Sequence, residues 1–379
     1  MTDAAHLHIV AFNVPWPADY GGVIDVFYRV KALAEAGVKI HLHCYAYGRT
    51  PAPELAQLCE EVHYYHRSTG FRSQLASRPY IVQSRQSRQL LARLQADNYP
   101  ILLEGLHCCS LLEHLDTARR AVYVRTHNVE HDYYAALAQA ESSCWRRLYY
   151  RVEARKLRRY EPIMSSATAV FAISDNDVAH FRTLGCKNVV LLPPCHGNSI
   201  LRTLPGKGDY VLYHGNLSVA ENEKAVCYLL KEVFADGRYP LIVAGRNPSE
   251  TLCGAVAACP SATLVPNPDD ESLDRLISQA HVNVLVTDQA TGVKLKLLNA
   301  LYRGRFCLVN STMVQGTDLA QACVVADTSD EQRVALERLM SEPFTEQHIQ
   351  QRKAQLKASD PAETIMSLIG TTSKRIAED

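Results

Sequence analysis

Residues 282–310 read VNVLVTDQATGVKLKLLNALYRGRFCLVN. An apolar, β-branched run from Val282 to Thr287 breaks at a turn from Asp288 to Gly292, and a helical pattern follows. Gly304 stands where a helix C-cap is needed, before a second apolar run from Phe306 to Asn310. A strand, a crossover helix and a returning strand form a parallel pair. The same unit recurs outward in both directions. Before it lie apolar runs at Tyr210 to His214, Leu241 to Ala244 and Ala262 to Val265, and after it one at Cys323 to Ala326. An earlier series comprises His6 to Val14, Lys39 to Tyr47, Glu61 to His66, Ile101 to Leu106, Ala121 to His127, Thr168 to Ser174 and Asn188 to Leu192. Strands alternating with helices predict parallel sheets covered on both faces. Pro193-Pro194 and the aperiodic CHGNSILRTLPGKGD (195–209) separate the two series and read as an interdomain linker. The fold class is therefore α/β, with two facing Rossmann-like domains over residues 1–198 and 199–357 and an active site expected in the cleft between them. The polar helical stretch from Thr345 to Ile369 breaks at Asp360-Pro361, and a helix over about 358–379 is expected to pack back on the first domain.

The 379 residues suffice for about two or three domains. Forty Lys and Arg against 40 Asp and Glu leave no net charge, so nothing draws the whole chain to nucleic acid, and any phosphate must be held locally. Among 12 cysteines no C-x-x-C pair occurs, which argues against a zinc ribbon or thioredoxin-type site. Cys44, Cys186, Cys307 and Cys323 sit in or beside apolar runs as small hydrophobes, as expected of a reduced, cytoplasmic protein. MTDAAHLHIVAFNVP lacks a basic n-region and a clean apolar stretch, and no run approaches the ~18 apolar residues of a membrane span.

In doubly wound domains function sits where strands turn into helices. The first such turn, NVPWPADYGGVIDVFYRVKALAEAG, carries Gly21-Gly22, which would let a ligand approach the backbone or would serve as a flexible connector. It lacks G-x-G-x-x-G, so a nicotinamide cofactor is not expected. AVYVRTHNVEHDYY ends a strand in Arg125, Thr126, His127 and Asn128, and His127 could hydrogen-bond a sugar hydroxyl or a phosphate. His127 and His131 lack the H-E-x-x-H pattern, so no metal is expected, and Asn128 and His131 read as capping or structural groups. YVLYHGNLSVAENEKAV places Gly215-Asn216 at the corresponding turn without a P-loop. Lys294 and Lys296 oppose the dipole at the start of a helix, which a phosphate or diphosphate there would explain; two solvated lysines are the alternative. WRRLYYRVEARKLRRYE, Trp145 to Glu161, reads as the solvated face of a core helix with Leu148, Val152 and Leu157 inward, or as a membrane-surface helix.

Taken in order, the Gly-Gly loop, HNVE, ISDND, Pro-Pro, GNLS, LIVAG and GVKLKLLNALYRG resemble GT-B fold glycosyltransferases, particularly the retaining glycosyltransferase family 4, over nearly the whole chain. The resemblance implies an acceptor loop at Gly21 and Gly22 and a cleft histidine at His127 that contacts the donor sugar, the one catalytic assignment. It further implies a nucleotide-sugar site from Gly215, Asn216, Lys224, Thr291, Gly292, Val293, Lys294, Lys296 and Asn299. Thr291 and Asn299 stand where the family often has two glutamates, and Asn216 where it has a basic residue matched only loosely by Lys224. The implied activity moves a sugar from a nucleotide-diphosphate donor to a glycan, lipid-linked or protein acceptor, with retention, without metal or further cofactor, in cell-surface polysaccharide or glycoconjugate synthesis. Nucleic acid is not an expected partner; peripheral contact with the inner face of the membrane is. A non-catalytic glycosyltransferase-like binding subunit and a nucleotide-sugar epimerase are the alternatives.

Overall fold

The computed structural model describes residues 5–70, 73–74, 76–141, 143–198, 200–288, 295–356 and 361–378. These form two compact units, one running to Gly197 and including the C-terminal helix, the other starting at Asn198.

The first unit is built on β1 (His6–Ala11), β2 (Lys39–Ala46), β3 (Glu61–His66), β4 (Ile101–Glu104), β5 (Val122–Arg125), β6 (Ala169–Ala172) and β7 (Val189–Leu191), in the order β3-β2-β1-β4-β5-β6-β7. Every pairing is parallel. The central strands β4, β5 and β6 are buried throughout, so they read as continuous apolar runs rather than alternating ones. Its longer helices are α1 (Gly21–Glu35), α2 (Glu130–Ala140), α3 (Cys144–Tyr160) and α4 (Asp175–Thr183). Val23, Val26, Phe27, Val30 and Leu33 recur at helical spacing along α1 and bury its inner stripe. The C-terminal helix, Pro361–Glu378, joins this core through Ala362, Ile365 and Ile369, and the Leu368 carbonyl accepts from the Tyr123 hydroxyl at 3.3 Å.

The second unit contains β8 (Val211–Asn216), β9 (Leu241–Arg246), β10 (Ala262–Pro266), β11 (Val282–Leu285), β12 (Phe306–Val309) and β13 (Val324–Val325), in the order β10-β9-β8-β11-β12-β13. These pairings too are parallel. Its longer helices are α5 (Ala220–Tyr228), α6 (Glu250–Ala257), α7 (Asp270–Gln279), α8 (Leu295–Arg303), α9 (Ser329–Ser341) and α10 (Glu346–Gln355). The stretch read as a linker is divided: Cys195 N donates to Asp25 of the first unit at 2.6 Å, whereas in the second Arg202 N donates to Tyr302 O at 2.7 Å and Gly206 bridges Phe344.

Two local expectations are corrected. Gly304 follows α8 without a left-handed backbone; an added Cβ there would lie 2.8 Å from the Ala300 carbonyl, so glycine is required for space. Of the three apolar residues of α3 expected to face inward only Leu157 is buried, whereas Leu148 and Val152 face outward. Leu148 and Leu157 are nine positions apart, about two and a half turns, and so lie on opposite faces. Glu153 fixes which face turns in: it is buried, accepts from the Tyr80 backbone N–H at 2.7 Å and pairs with Lys156 at 2.8 Å.

Candidate functional site

The order of each sheet reverses at one place, between β1 and β4 in the first unit and between β8 and β11 in the second. Crevices for ligands lie beyond the carboxyl ends of the strands at such points.

At the first reversal five charged or titratable side chains close on one another. Arg29 of α1 makes bidentate contact with Asp25 (3.0 and 3.0 Å) and with Glu104 at the end of β4 (2.9 and 2.8 Å). Arg125, ending β5, donates through Nε to Asp25 at 3.1 Å and through Nη1 to the Leu192 carbonyl. His127 Nε2 lies 3.0 Å from Glu104 Oε2, and Nδ1 lies 3.4 Å from Asp25 Oδ2. All five are buried. Burial alone would raise the Asp25 carboxyl, but the Arg125 and Arg29 guanidiniums and His127 hold it well below its usual range. For Glu104, likewise, Arg29 and the hydrogen bond with His127 outweigh burial. Among the described residues, Arg125 Nη2 and His127 Nδ1 lack hydrogen-bond partners. Both atoms are buried, at the point where β5 ends, so they are the unsatisfied positions of an otherwise closed network.

Gly22 lies on the same rim, and an added Cβ there would sit 2.8 Å from Phe12 Cζ, so the close approach it permits is that of the Phe12 ring. Gly21 begins α1 and is partly buried. The Phe12 ring in turn contacts His107 and His127, with centroids 5.1 and 5.2 Å away. Behind His107 is Glu130, whose carboxyl oxygen is 4.0 Å from His107 Nδ1. Burial, reinforced by the neighbouring Glu161, pushes the Glu130 carboxyl up to about 8, which makes it a protonated acid near neutral pH.

The second reversal is open instead. A cavity of about 330 Å³ lies beyond the carboxyl ends of β11, β12 and β13, lined by Glu221, Lys224, Ala225 and Tyr228 of α5, by Val286, Thr287 and Asp288, and by Asn310, Asp327 and Gln332. Asn310 joins two of its strand ends, accepting from Thr287 N at 3.1 Å and donating to Thr287 O at 2.7 Å. Lys224 is paired with Asp288 at the exposed rim. Three carboxylates against one lysine repel phosphate but suit hydroxyl groups, which donate to carboxylates.

One lysine stands near the start of α5, whose first turn itself carries Glu221 and Glu223. Lys296, in the first turn of α8, donates to Asn222 Oδ1 at 2.8 Å and to the Tyr213 hydroxyl at 3.4 Å. Asn222 Nδ2 donates to the Asn216 carbonyl at 2.8 Å, so Lys296 is held against the Gly215-Asn216 turn. α5 has no capping side chain; within its first turn the Asn222 N–H is taken by the Val219 carbonyl at 2.9 Å. Burial, then the charge of Lys296, pushes the buried His214 at the end of β8 down to about 3 and keeps it neutral.

Only one group of His, Cys, Asp and Glu among the described residues has converging donor atoms: His131, Glu161 and His180. His131 Nδ1 and His180 Nε2 reach Glu161 Oε2 at 2.8 and 3.2 Å, and the other Glu161 oxygen accepts from His131 N at 3.2 Å. These hydrogen bonds account for all three side chains and tie α2, the end of α3 and α4 together.

No protein-family model matches the sequence. A Klebsiella pneumoniae protein named "Uncharacterized 44.6 kDa protein in cps region" is 24% identical over 337 residues, covering 83% of this chain and 84% of that one. Sucrose-phosphate synthase from Thermosynechococcus elongatus superposes with a TM-score of 0.70 at 15% identity, over 98% of this chain and 100% of that one. The lipopolysaccharide outer core galactosyltransferase WaaB gives 0.65 at 12% identity, covering 97% and 99%. UGT2 of Phytolacca americana, complexed with UDP-2fluoro-glucose and pterostilbene, gives 0.56 at 10% identity, covering 99% and 100%. The chain has the GT-B fold.

Within this GT-B frame the residues singled out from the sequence divide by unit. Gly21, Gly22 and His127 gather at the first reversal; Gly215, Asn216, Lys224, Lys296 and Asn299 belong to the second unit, and Thr291, Gly292, Val293 and Lys294 lie outside the described residues. Lys296 and Asn216 meet through Asn222, while Lys224 stands on the cavity rim. Asn299 is half-buried, and its Oδ1 accepts from Asn198 Nδ2 at 2.8 Å, so the ribose contact expected of it would share an oxygen already in use. Sequence reasoning missed Asp25, Arg29, Glu104, Glu221, Asn310 and Asp327. A usable signal existed for two of them: VLVTD, CLVN and VVAD are apolar runs that each end in a polar residue, which is how neighbouring parallel strands present a ligand-binding rim.

Proposed function

We propose that this protein is a glycosyltransferase that moves a sugar from a nucleotide-diphosphate donor to a glycan, lipid-linked or protein acceptor in polysaccharide synthesis. The observation that carries the reading is the open, carboxylate-rimmed cavity at the reversal of the second sheet, in a chain with the GT-B fold. Glu221, Asp288 and Asp327 have the chemistry to bind ribose or sugar hydroxyls. Lys296, held against the Gly215-Asn216 turn beside the uncapped start of α5, supplies charge for a leaving diphosphate. His127, fixed by Glu104, is the residue that orients the transferred sugar. The cps-region relative and the likeness to WaaB support a polysaccharide or lipid-linked acceptor, and the likeness to UGT2 with its bound UDP-sugar supports a nucleotide-sugar donor. Retention at the anomeric carbon and independence of metal belong to the same proposal: Lys296 provides the positive charge a metal would otherwise supply.

The test is a thermal-shift screen of nucleoside diphosphates and nucleotide sugars, followed by mass analysis of the products formed with the hits. Stabilisation by at least one nucleotide is expected, because a ligand at 100 times its Kd stabilises by about 2.7 kcal/mol. Lys296→Met should weaken the diphosphate more than the nucleoside, and Asp327→Asn should weaken both. Stabilisation by none of the nucleotides would sink the donor site. Binding with no sugar transferred or hydrolysed would leave a binding subunit, and an isomerised nucleotide sugar would reveal an epimerase.

A further inference from the structure

The outward face of α3 joins two features that no part of the transfer reading uses. Trp145, Leu148, Tyr149 and Val152, spaced i, i+3, i+4 and i+7, form one stripe and are 83, 52, 36 and 38% exposed. Arg146, Arg151, Arg155, Arg158 and Arg159 are exposed on the same helix, and among the described residues none of them forms an ion pair or hydrogen bond. The acidic residues of this stretch, Glu153 and Glu161, are both buried and committed elsewhere. In a chain whose formal charge sums to zero, five uncompensated guanidiniums around an aliphatic and aromatic stripe are a local concentration of positive charge.

We propose that α3 is a membrane-docking helix that lies in the plane of an anionic bilayer, with Trp145, Leu148 and Val152 entering the boundary of headgroups and acyl chains and the arginines meeting lipid phosphates. An interfacial helix needs this division of an apolar stripe from a basic flank, and tryptophan is the residue enriched at that depth. Aliphatic Leu148 and Val152 at the centre of the stripe favour a bilayer over a nucleic acid, which would use the arginines and aromatic rings but not the aliphatic groups. No helix among the described residues is long and apolar enough to cross a membrane, so the contact is to its surface. The proposal does not depend on the transfer reading.

The sequence has two tryptophans, Trp145 and the half-buried Trp16. In the full chain carrying Trp16→Phe, Trp145 emission is therefore the reporter. With vesicles of phosphatidylglycerol and phosphatidylcholine and no nucleotide present, the emission should shift to the blue, and the protein should co-sediment. With phosphatidylcholine alone both effects should be much weaker. A basic residue near an anionic surface contributes roughly a fivefold factor in binding, so replacing Arg151, Arg155, Arg158 and Arg159 with Gln should reduce partitioning more than tenfold, as should Leu148→Ser with Val152→Ser. Both variants should keep the thermal midpoint of the parent, since every altered side chain is exposed. Unchanged Trp145 emission with anionic vesicles, equal binding by parent and variants, or a soluble dimer in which Trp145 is already shielded would each overturn the proposal. Nucleotide binding measured on the same preparations is a separate readout, so the failure of either idea leaves the other standing.

Discussion

The two sheets run in the same order through their first six strands, yet their reversal points are built in opposite ways. In the first unit Asp25, Arg29, Glu104, Arg125 and His127 are buried and bonded to one another, with Arg125 Nη2 and His127 Nδ1 left without a hydrogen bond. In the second, Lys224 and Asp288 pair at an exposed rim around a cavity. Strand order places a crevice; the side chains on the strand ends decide whether it becomes a closed ion network or an open pocket. Lone charges cannot stay ionised in a core, so the first network must be complete to exist at all, whereas the second can lose a member at little cost.

Breaking that contrast should give the largest effect. Arg29→Met strips both carboxylates of a bidentate partner and should destabilise the first unit by about 3–5 kcal/mol. Lys224→Met removes one side of an exposed pair and should cost less than about 1 kcal/mol. Trp16 and Trp145 both lie in the first unit, so urea unfolding followed by tryptophan emission reports on Arg29→Met directly, and circular dichroism reports on Lys224→Met. Similar losses for the two variants would dissolve the distinction.

A second pair tests the network against its own neighbour. Glu104 is held ionised by Arg29, so Glu104→Gln leaves a guanidinium short of charge and should cost on the order of 3 kcal/mol at pH 7. Glu130, raised to about 8, is the reverse case. Its unfolded form ionises above about 4.5 while the folded form stays protonated, so it draws stability away as pH rises from there through 8. Glu130→Gln should therefore stabilise at pH 7, by on the order of 2 kcal/mol, with the gain vanishing near pH 4. Loss of stability in Glu130→Gln would show that this carboxyl is ionised and paired.

Much of this architecture was legible and much of its chemistry was not, for a physical reason. Buried parallel strands announce themselves as apolar runs: of the thirteen strands among the described residues, ten lie within the stretches so read, and β8, β9 and β10 run one or two residues past theirs. The buried network is invisible by the same logic: Asp25 and Arg29 sit among the apolar positions of α1 as an i, i+4 pair that reads like any solvated pair, and Glu104 looks like the polar end of a strand. Only the parallel register that sets β4 beside β5, with Glu104 opposite Arg125, brings them together. His127 was found because it follows a strand end; the carboxylates that hold it come from strands and helices distant in sequence.

The histidines of β1 and β2 give a smaller, graded effect. His8 stacks on His43, with Nδ1 2.9 Å from His43 Nε2, and burial above all pushes them down to about 4 and about 2. A histidine whose folded value lies below its unfolded one binds fewer protons when folded, so stability rises with pH across that interval and is lost on acidification from about 6.5 downward. Each should contribute a slope of roughly 1.4 kcal/mol per pH unit between pH 6 and 5. His131 runs the other way: its hydrogen bond to Glu161 outweighs burial and raises it, so its contribution is complete below 6.5 and fades as pH rises through the folded value. Tryptophan-monitored urea midpoints should fall from pH 6.5 to 5, and His43→Asn should flatten that fall. An unaltered slope in the variant would mean that the cluster takes up protons without opening.

The smallest expected effect is at Leu148 of α3, and set beside Leu157 it separates what stabilises the first unit from what merely decorates it. Leu157 is fully buried and Leu148 is half exposed on the opposite face. Leu157→Ala should cost about 2–5 kcal/mol, because it removes buried methyl groups and leaves a cavity. Leu148→Ala should stay within about 0.5 kcal/mol, as exposed substitutions do. Had helical periodicity turned both leucines inward, the two costs would be alike. A near-zero cost at Leu148 would leave this exposed leucine, flanked by Trp145 and Val152, free for contact with something other than the fold. A large cost would instead place Leu148 in the core and remove the stripe on which membrane docking depends.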